Sequence, residues 1–124
     1  MKITENFSVA EFDSKDGSLM PTDVLKNIIA LAKNLQVLRD KIGKSITVNS
    51  GYRSKKYNKR IGGVANSQHL TGKASDITVA GRTPKQVAEV IEQLITEGRM
   101  AQGGIGIYPT FTHYDIRGIR SRWN

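Results

Sequence analysis

From Thr22 onward, apolar residues recur at Leu25, Ile28, Ile29, Ala32, Leu35, Leu38 and Ile42, the i, i+3, i+4 spacing of one helical face. The pattern predicts a long scaffold helix, N-capped by Thr22 and stopped by Gly43. A second helix is equally legible. Thr83 is its N-cap, Pro84 its first residue and Gln86 the partner that closes a capping box. Val87, Val90, Ile91, Leu94 and Ile95 form its apolar stripe, Gly98 ends it, and Glu89, Glu92 and Glu97 are placed toward solvent. Ser8 and Glu11 fit another capping box, opening a short helix at Val9 between Phe7 and Phe12. A polar loop from Asp13 to Pro21 follows.

Between the helices the period changes. Ile46 and Val48 alternate with polar residues across 45–50, and 73–79, 103–108 and 111–117 also read as strands, the last two a hairpin around Pro109-Thr110. Tyr57 to Asn66 reads as a loop with a short helix, and Arg120 and Trp123 as closing the chain against the sheet. The pattern as a whole predicts an α+β fold: a small antiparallel sheet with helices packed on one side and its other face open.

At 124 residues the chain fits a single domain spanning 1–124. It has no cysteine, so disulfides, iron–sulfur clusters and thiolate metal sites are excluded, and any metal must take nitrogen and oxygen ligands. No stretch is apolar enough to cross a bilayer, and Met1-Lys-Ile-Thr-Glu-Asn-Phe7 lacks the apolar core of a secretory signal. Synthesis in the cytoplasm is the expectation. A net charge of +8 and a pI near 9.9 imply polyanionic surroundings. Five basic residues fall between Arg53 and Arg60, but the eight aromatics do not interleave with basic residues as a base-stacking surface requires. Nucleic acid is therefore not the expected partner.

The chemistry sits elsewhere. The chain's two histidines, His69 and His113, each lie in a short polar cluster with a carboxylate. A catalytic zinc site takes three protein ligands from imidazoles and a carboxylate, with the fourth position left for water. His69, Asp76 and His113 supply that set. Alternation puts Ala74 and Asp76 on one face of their strand, and the i, i+2 spacing puts His113 and Asp115 on one face of theirs. Gly72 lets the chain fold His69 back toward Asp76. Each residue also has an ordinary reading: a hydrogen-bonded histidine, a turn aspartate, or Asp115 paired with Arg117 or Arg120.

Ser67-x-His69-x-x-Gly72-x-Ala74-x-Asp76, followed by His113-x-Asp115, resembles the signature of the zinc D-Ala-D-Ala metallopeptidases, a group that includes VanY-type carboxypeptidases and phage murein endopeptidases. Asn6 to Phe12, Ser50-Gly-Tyr-Arg53 and Gly103 to Pro109 are similar to further family segments, so the likeness covers nearly the whole chain. The resemblance implies Zn2+ on His69, Asp76 and His113, on the open side of the sheet. It also implies Arg53 as the group that binds the substrate carboxylate or carbonyl oxygen. Ser67 and Gln68 are expected to support ligands or substrate from the rim.

Several members of the family place a catalytic Glu or Asp three positions before the last histidine; Thr110 stands there in this chain, so the general-base role is assigned to Asp115, the carboxylate nearest His113 in sequence. The implied reaction is hydrolysis of a peptidoglycan stem or cross-link peptide at a D-amino-acid bond. Few long loops favour an open cleft and hence an endopeptidase over a carboxypeptidase. Anionic wall polymers are the other expected partner of a monomer that reaches the wall after lysis, or within a phage or secretion system. The rival expectation is a non-catalytic module of the same fold.

Overall fold

The computed structural model describes residues 1–124. Three helices, α1 (Thr22–Ile42), α2 (Lys55–Arg60) and α3 (Pro84–Thr96), accompany strands β1 (Ile46–Ser50), β2 (Ala74–Val79), β3 (Gly104–Ile107), β4 (Thr112–Asp115) and β5 (Ser121–Trp123). Two 3-10 turns, Val9–Phe12 and Gln68–Thr71, complete the set. No helix is long and apolar enough to cross a membrane.

The sheet order is β1-β2-β4-β3-β5. The first three pairings are antiparallel, as the hairpin and alternation signals predict. The last is parallel, with Ile105 opposite Arg122 and Gly106 opposite Trp123, so the sheet is mixed rather than purely antiparallel. The expected packing of the chain end is in fact a short edge strand. Arg122 fastens it, with Nε and Nη2 donating to the Glu92 carboxylate at 2.6 and 2.8 Å. Glu92 is therefore an ion-pair anchor rather than a freely solvated charge.

One face of the sheet carries the core. Ile46, Val48, Ile77, Val79, Ile105 and Tyr114 pack against Ile28, Leu31, Leu35 and Leu38 of α1 and Val87, Ile91 and Leu94 of α3. Tyr114 is fully buried and donates its hydroxyl to the Ala101 carbonyl. The buried stripe of α1 keeps Ile28, Ala32, Leu35 and Leu38 of the expected face but shifts at its edge: Val24 and Leu31 are buried, whereas Leu25, Ile29 and Ile42 are only half-buried. The N-cap also moves, from Thr22 to Pro21, which makes no side-chain cap. The fixed φ of proline, here −62°, suits the extended cap position, and Thr22 enters the first turn. Both capping boxes form as expected, as does the left-handed stop at Gly43.

The opposite face carries the polar residues. In β4, Thr112 and Tyr114 face the helices, Thr112 Oγ1 donating to the Pro84 carbonyl, so His113 and Asp115 emerge on the other side. Asp76 lies opposite His113 in register and Ala74 opposite Asp115.

Candidate metal centre

Local sequence features bring the polar residues together. β1 pairs Val48 with Ile77 and Ser50 with Asp76, so Asn49 is an extra residue and the strand bulges beside Asp76. That bulge redirects the chain so that Gly51 and Arg53 turn onto the polar face. His69 sits in the 3-10 turn Gln68–Thr71, whose N-cap Ser67 accepts a hydrogen bond from the His69 N–H through Oγ at 3.2 Å. The turn closes at Gly72, with φ +78°, and a Cβ there would come within 2.8 Å of Val24 Cγ1. Glycine is thus required for conformation and for space.

His69, Asp76 and His113 converge. All three are buried, and one ligand atom from each lies within 4.8 Å of the others. Asp76 Oδ1 is 3.3 Å from His69 Nε2 and 3.2 Å from His113 Nδ1. The remaining ring nitrogens fix the tautomers. His69 Nδ1 lies 2.7 Å from the Gly51 carbonyl, and His113 Nε2 lies 2.7 Å from Asp115 Oδ2. A carbonyl and a carboxylate only accept, so those nitrogens carry the protons. The other nitrogen of each ring, His69 Nε2 and His113 Nδ1, faces Asp76 Oδ1, so a cation that displaces any proton held between them would meet three lone-pair-bearing atoms at one point.

The donor set fits zinc. Nitrogen and oxygen ligands about 2.0 Å from a tetrahedral ion lie roughly 3.3 Å apart, the spacing two of the three pairs already hold. Each histidine also donates its other N–H to a carbonyl or carboxylate, the usual support for a metal-bound imidazole. Burial pushes Asp76 upward, but hydrogen bonds from His113 and His69 outweigh it and hold the carboxyl well below the carboxylate range. Burial pulls His113 down, yet Asp115 and Asp76 together raise it above its ordinary value of 6.5.

Asp115 does not occupy the position expected of a base. It is fully buried behind His113, outside the cavity, and receives five hydrogen bonds. His113 Nε2 and Arg117 Nη2 reach Oδ2 at 2.7 and 2.8 Å, while Gly104 N, Arg117 Nε and Arg117 N reach Oδ1 at 2.9, 2.9 and 3.1 Å. A side chain at Gly104 would collide with this carboxylate. Burial raises the Asp115 carboxyl, and the bonds from His113, Arg117 and the backbone more than reverse the effect. Of the two pairings the sequence allows, Arg117 forms and Arg120 does not.

A cavity of about 430 Å³ opens onto the trio. Arg53 lines it: Nε donates to Ser50 Oγ, Nη1 to Asn58 Oδ1 and Nη2 to Asp76 Oδ2, the last at 3.1 Å. Three of its five N–H groups are committed, leaving two. Ser67 and Gln68 line the same cavity. Thr110 is exposed in the β3–β4 connection and lies outside the cavity. Sequence reading missed three contributors: the Gly51 carbonyl, buried Asn58, and the Tyr108, Phe111 and Trp123 side of the cavity; it offered Arg117 only as an ordinary partner of Asp115. Only the singularity of Trp123 signalled any of the three.

Sequence comparison bears directly on this centre. The pattern of the peptidase M15 family matches residues 5–115 and so includes His69, Asp76, His113, Arg53 and Asp115. The chain belongs to the peptidase M15 family. It is also 36% identical over 78 residues to the zinc D-Ala-D-Ala carboxypeptidase of Streptomyces albus G. That match takes in 58% of this chain but 31% of the relative, so this M15 domain corresponds to under a third of that protein's length.

Proposed function

We propose that this M15 domain is a zinc peptidase that hydrolyses an amide bond beside a D-amino acid in peptidoglycan stem peptides. The observation that carries the reading is the convergence of His69 Nε2, Asp76 Oδ1 and His113 Nδ1 on the floor of an open cavity, with Arg53 beside them. Zinc held by these atoms would acidify a water and polarise the scissile carbonyl. The chain's own residues do the rest. The Gly51 carbonyl and Asp115 keep each imidazole in the ligating tautomer, and Arg53 keeps Asp76 Oδ2 turned away from the ion. Asp115 is thus a positioning residue rather than the general base.

The two uncommitted N–H groups of Arg53 suit a terminal carboxylate or a developing oxyanion. With the activity of the Streptomyces relative, they favour a carboxypeptidase that removes a terminal D-alanine. The endopeptidase reading has the open cavity in its favour. Charge supports anionic surroundings. Between Asp40 and Asp76 there are eight basic residues and no acidic ones, while the other eleven basic residues are matched by eleven acidic ones. The whole net charge therefore lies on the segment carrying Arg53 and α2. Anionic wall polymers and peptide carboxylates are the partners proposed for it.

A non-catalytic module is the second reading, and one observation favours it. Apart from Asp76, the ionisable side chains on the cavity wall are Arg53, His69, Tyr108, His113 and Arg117, so no free carboxylate is available as a base. The test is product release from purified sacculi and from a D-Ala-D-Ala-terminated peptide, with and without chelator, beside His113→Ala. Free D-alanine lost on chelation and absent from the variant supports the carboxypeptidase, whereas soluble muropeptides support the endopeptidase. No product from zinc-loaded protein supports the non-catalytic module.

A further inference from the structure

The sheet order lays the cleft out as a sequence of chemistries. Arg53 follows β1, Asp76 and His113 lie on β2 and β4, and beyond them β3, its following turn and β5 supply Tyr108, Phe111 and Trp123. Arg53 stands at one end, and the aromatic rings, with the Arg117 guanidinium against the indole, stand at the other. Trp123 lies beyond the family-matched residues, on the parallel edge strand, with its ring centroid 4.9 Å from that of His113. Its place depends on Gly106, the residue opposite it, since a Cβ there would run into the indole. Phe111 stacks on Tyr108 at 4.4 Å and 11°, and the Arg117 guanidinium covers the indole at 5.5 Å.

The wall has one polar feature with a fixed direction. Trp123 Nε1–H donates to Tyr108 Oη at 2.8 Å. An indole N–H can only donate, so the tyrosine oxygen is the acceptor and its own proton must point elsewhere. No protein group accepts that proton, and Tyr108 is 36% exposed. The wall therefore offers aromatic surface beside His113, with one oriented O–H donor on Tyr108 and the Arg117 guanidinium, held by Asp115, at its edge.

We infer that Tyr108, Phe111 and Trp123 form a second substrate subsite, at the end of the cleft away from Arg53. It binds a peptide residue with a small apolar side chain, whose methyl group packs on the aromatic rings and whose carbonyl oxygen accepts from Tyr108 Oη. The inference rests on the peptidase reading for its ligand. Tyr108 acts in binding and positioning; it does not transfer a proton.

The test uses the zinc-loaded chain and a peptide ending in D-alanyl-D-alanine. Trp123 is the chain's single tryptophan, so its emission reports contact at the wall whether or not cleavage follows. Saturable change in emission on titration is expected. Tyr108→Phe, which deletes only the donor, should raise KM about five- to tenfold and leave kcat within threefold. Trp123→Phe, which keeps a ring but removes the N–H, should raise KM about threefold with zinc content unchanged. Trp123→Ala should raise KM about tenfold or more. An unchanged emission with wild-type KM in Tyr108→Phe and Trp123→Phe overturns the inference even if cleavage is normal. A kcat collapse in Tyr108→Phe at constant KM also overturns it, because that marks a proton donor. Saturable emission without cleavage by the wild-type chain leaves the subsite standing and removes the peptidase reading instead.

Discussion

Replacing Asp115 with asparagine separates the two roles this residue has been given. The carboxylate receives five N–H donors, two on Oδ2 and three on Oδ1, and is fully buried. An amide keeps one acceptor oxygen and puts an NH2 donor in place of the other. Whichever way it is turned, either His113 and Arg117 Nη2 or Gly104 and Arg117 then face a donor. Breaking a buried charge pair costs about 3–5 kcal/mol. Arg117 is 30% exposed and can swing into water, so we expect Asp115→Asn to destabilise the metal-free protein by about 2–4 kcal/mol. Loss of the support behind a metal-ligating histidine weakens metal binding by roughly 10–100-fold, and the same loss is expected for zinc here. Urea unfolding of the metal-free protein and zinc titration against a competing chelator measure the two quantities. If the variant binds zinc within twofold of wild type while kcat collapses, the positioning role is refuted and Asp115 is restored as the base.

Further outcomes follow from the same geometry. Arg53→Ala frees Asp76 Oδ2 and removes the guanidinium beside the trio; KM for a carboxylate-terminated peptide should rise at least about tenfold, and an effect on thermal stability alone would count against a substrate role. Gly72→Ala combines a left-handed φ with a Cβ only 2.8–2.9 Å from Val24, so a loss of about 2–4 kcal/mol is expected; a melting temperature within a degree of wild type would contradict the local account. In the metal-free protein His113 is raised, so its contribution to stability is full below 6.5 and lost as pH rises through the folded value. Asp76 and Asp115 are lowered, so theirs is full above 3.8 and lost as pH falls through their folded values. The urea midpoint should therefore fall from pH 5.5 to pH 8 while zinc affinity rises, because the ion displaces a proton from His113. A midpoint that climbs over that interval would refute the assignment.

Elements whose pattern is local were legible in the sequence. Thr83-Pro-Lys-Gln86 carries a complete start signal for α3, and Gly43 is the left-handed residue that stops α1. The trio was legible because two histidines in one chain, with i, i+2 alternation around each carboxylate, leave few arrangements. Long-range register was not legible. β5 has three residues and no alternation to read, so its parallel pairing, and with it the placement of Trp123 beside His113, depends on contacts with β3 and Glu92. The surroundings of Asp115 were hidden for a related reason. Spacing puts its carboxylate on the same face as His113 but does not show that Arg117 and the Gly104 N–H close around it. The bulge at Asn49, which turns Arg53 toward Asp76, has no sequence signal beyond the polar residue itself.

The central claim is that His69, Asp76 and His113 share one zinc ion. Elemental analysis of the purified protein after dialysis against zinc measures it directly, beside folded His69→Ala and His113→Ala variants. One equivalent of zinc per wild-type chain, with less than about a tenth in either variant, is the predicted result. A folded wild-type chain that retains no zinc, or variants that retain as much as wild type, would contradict it.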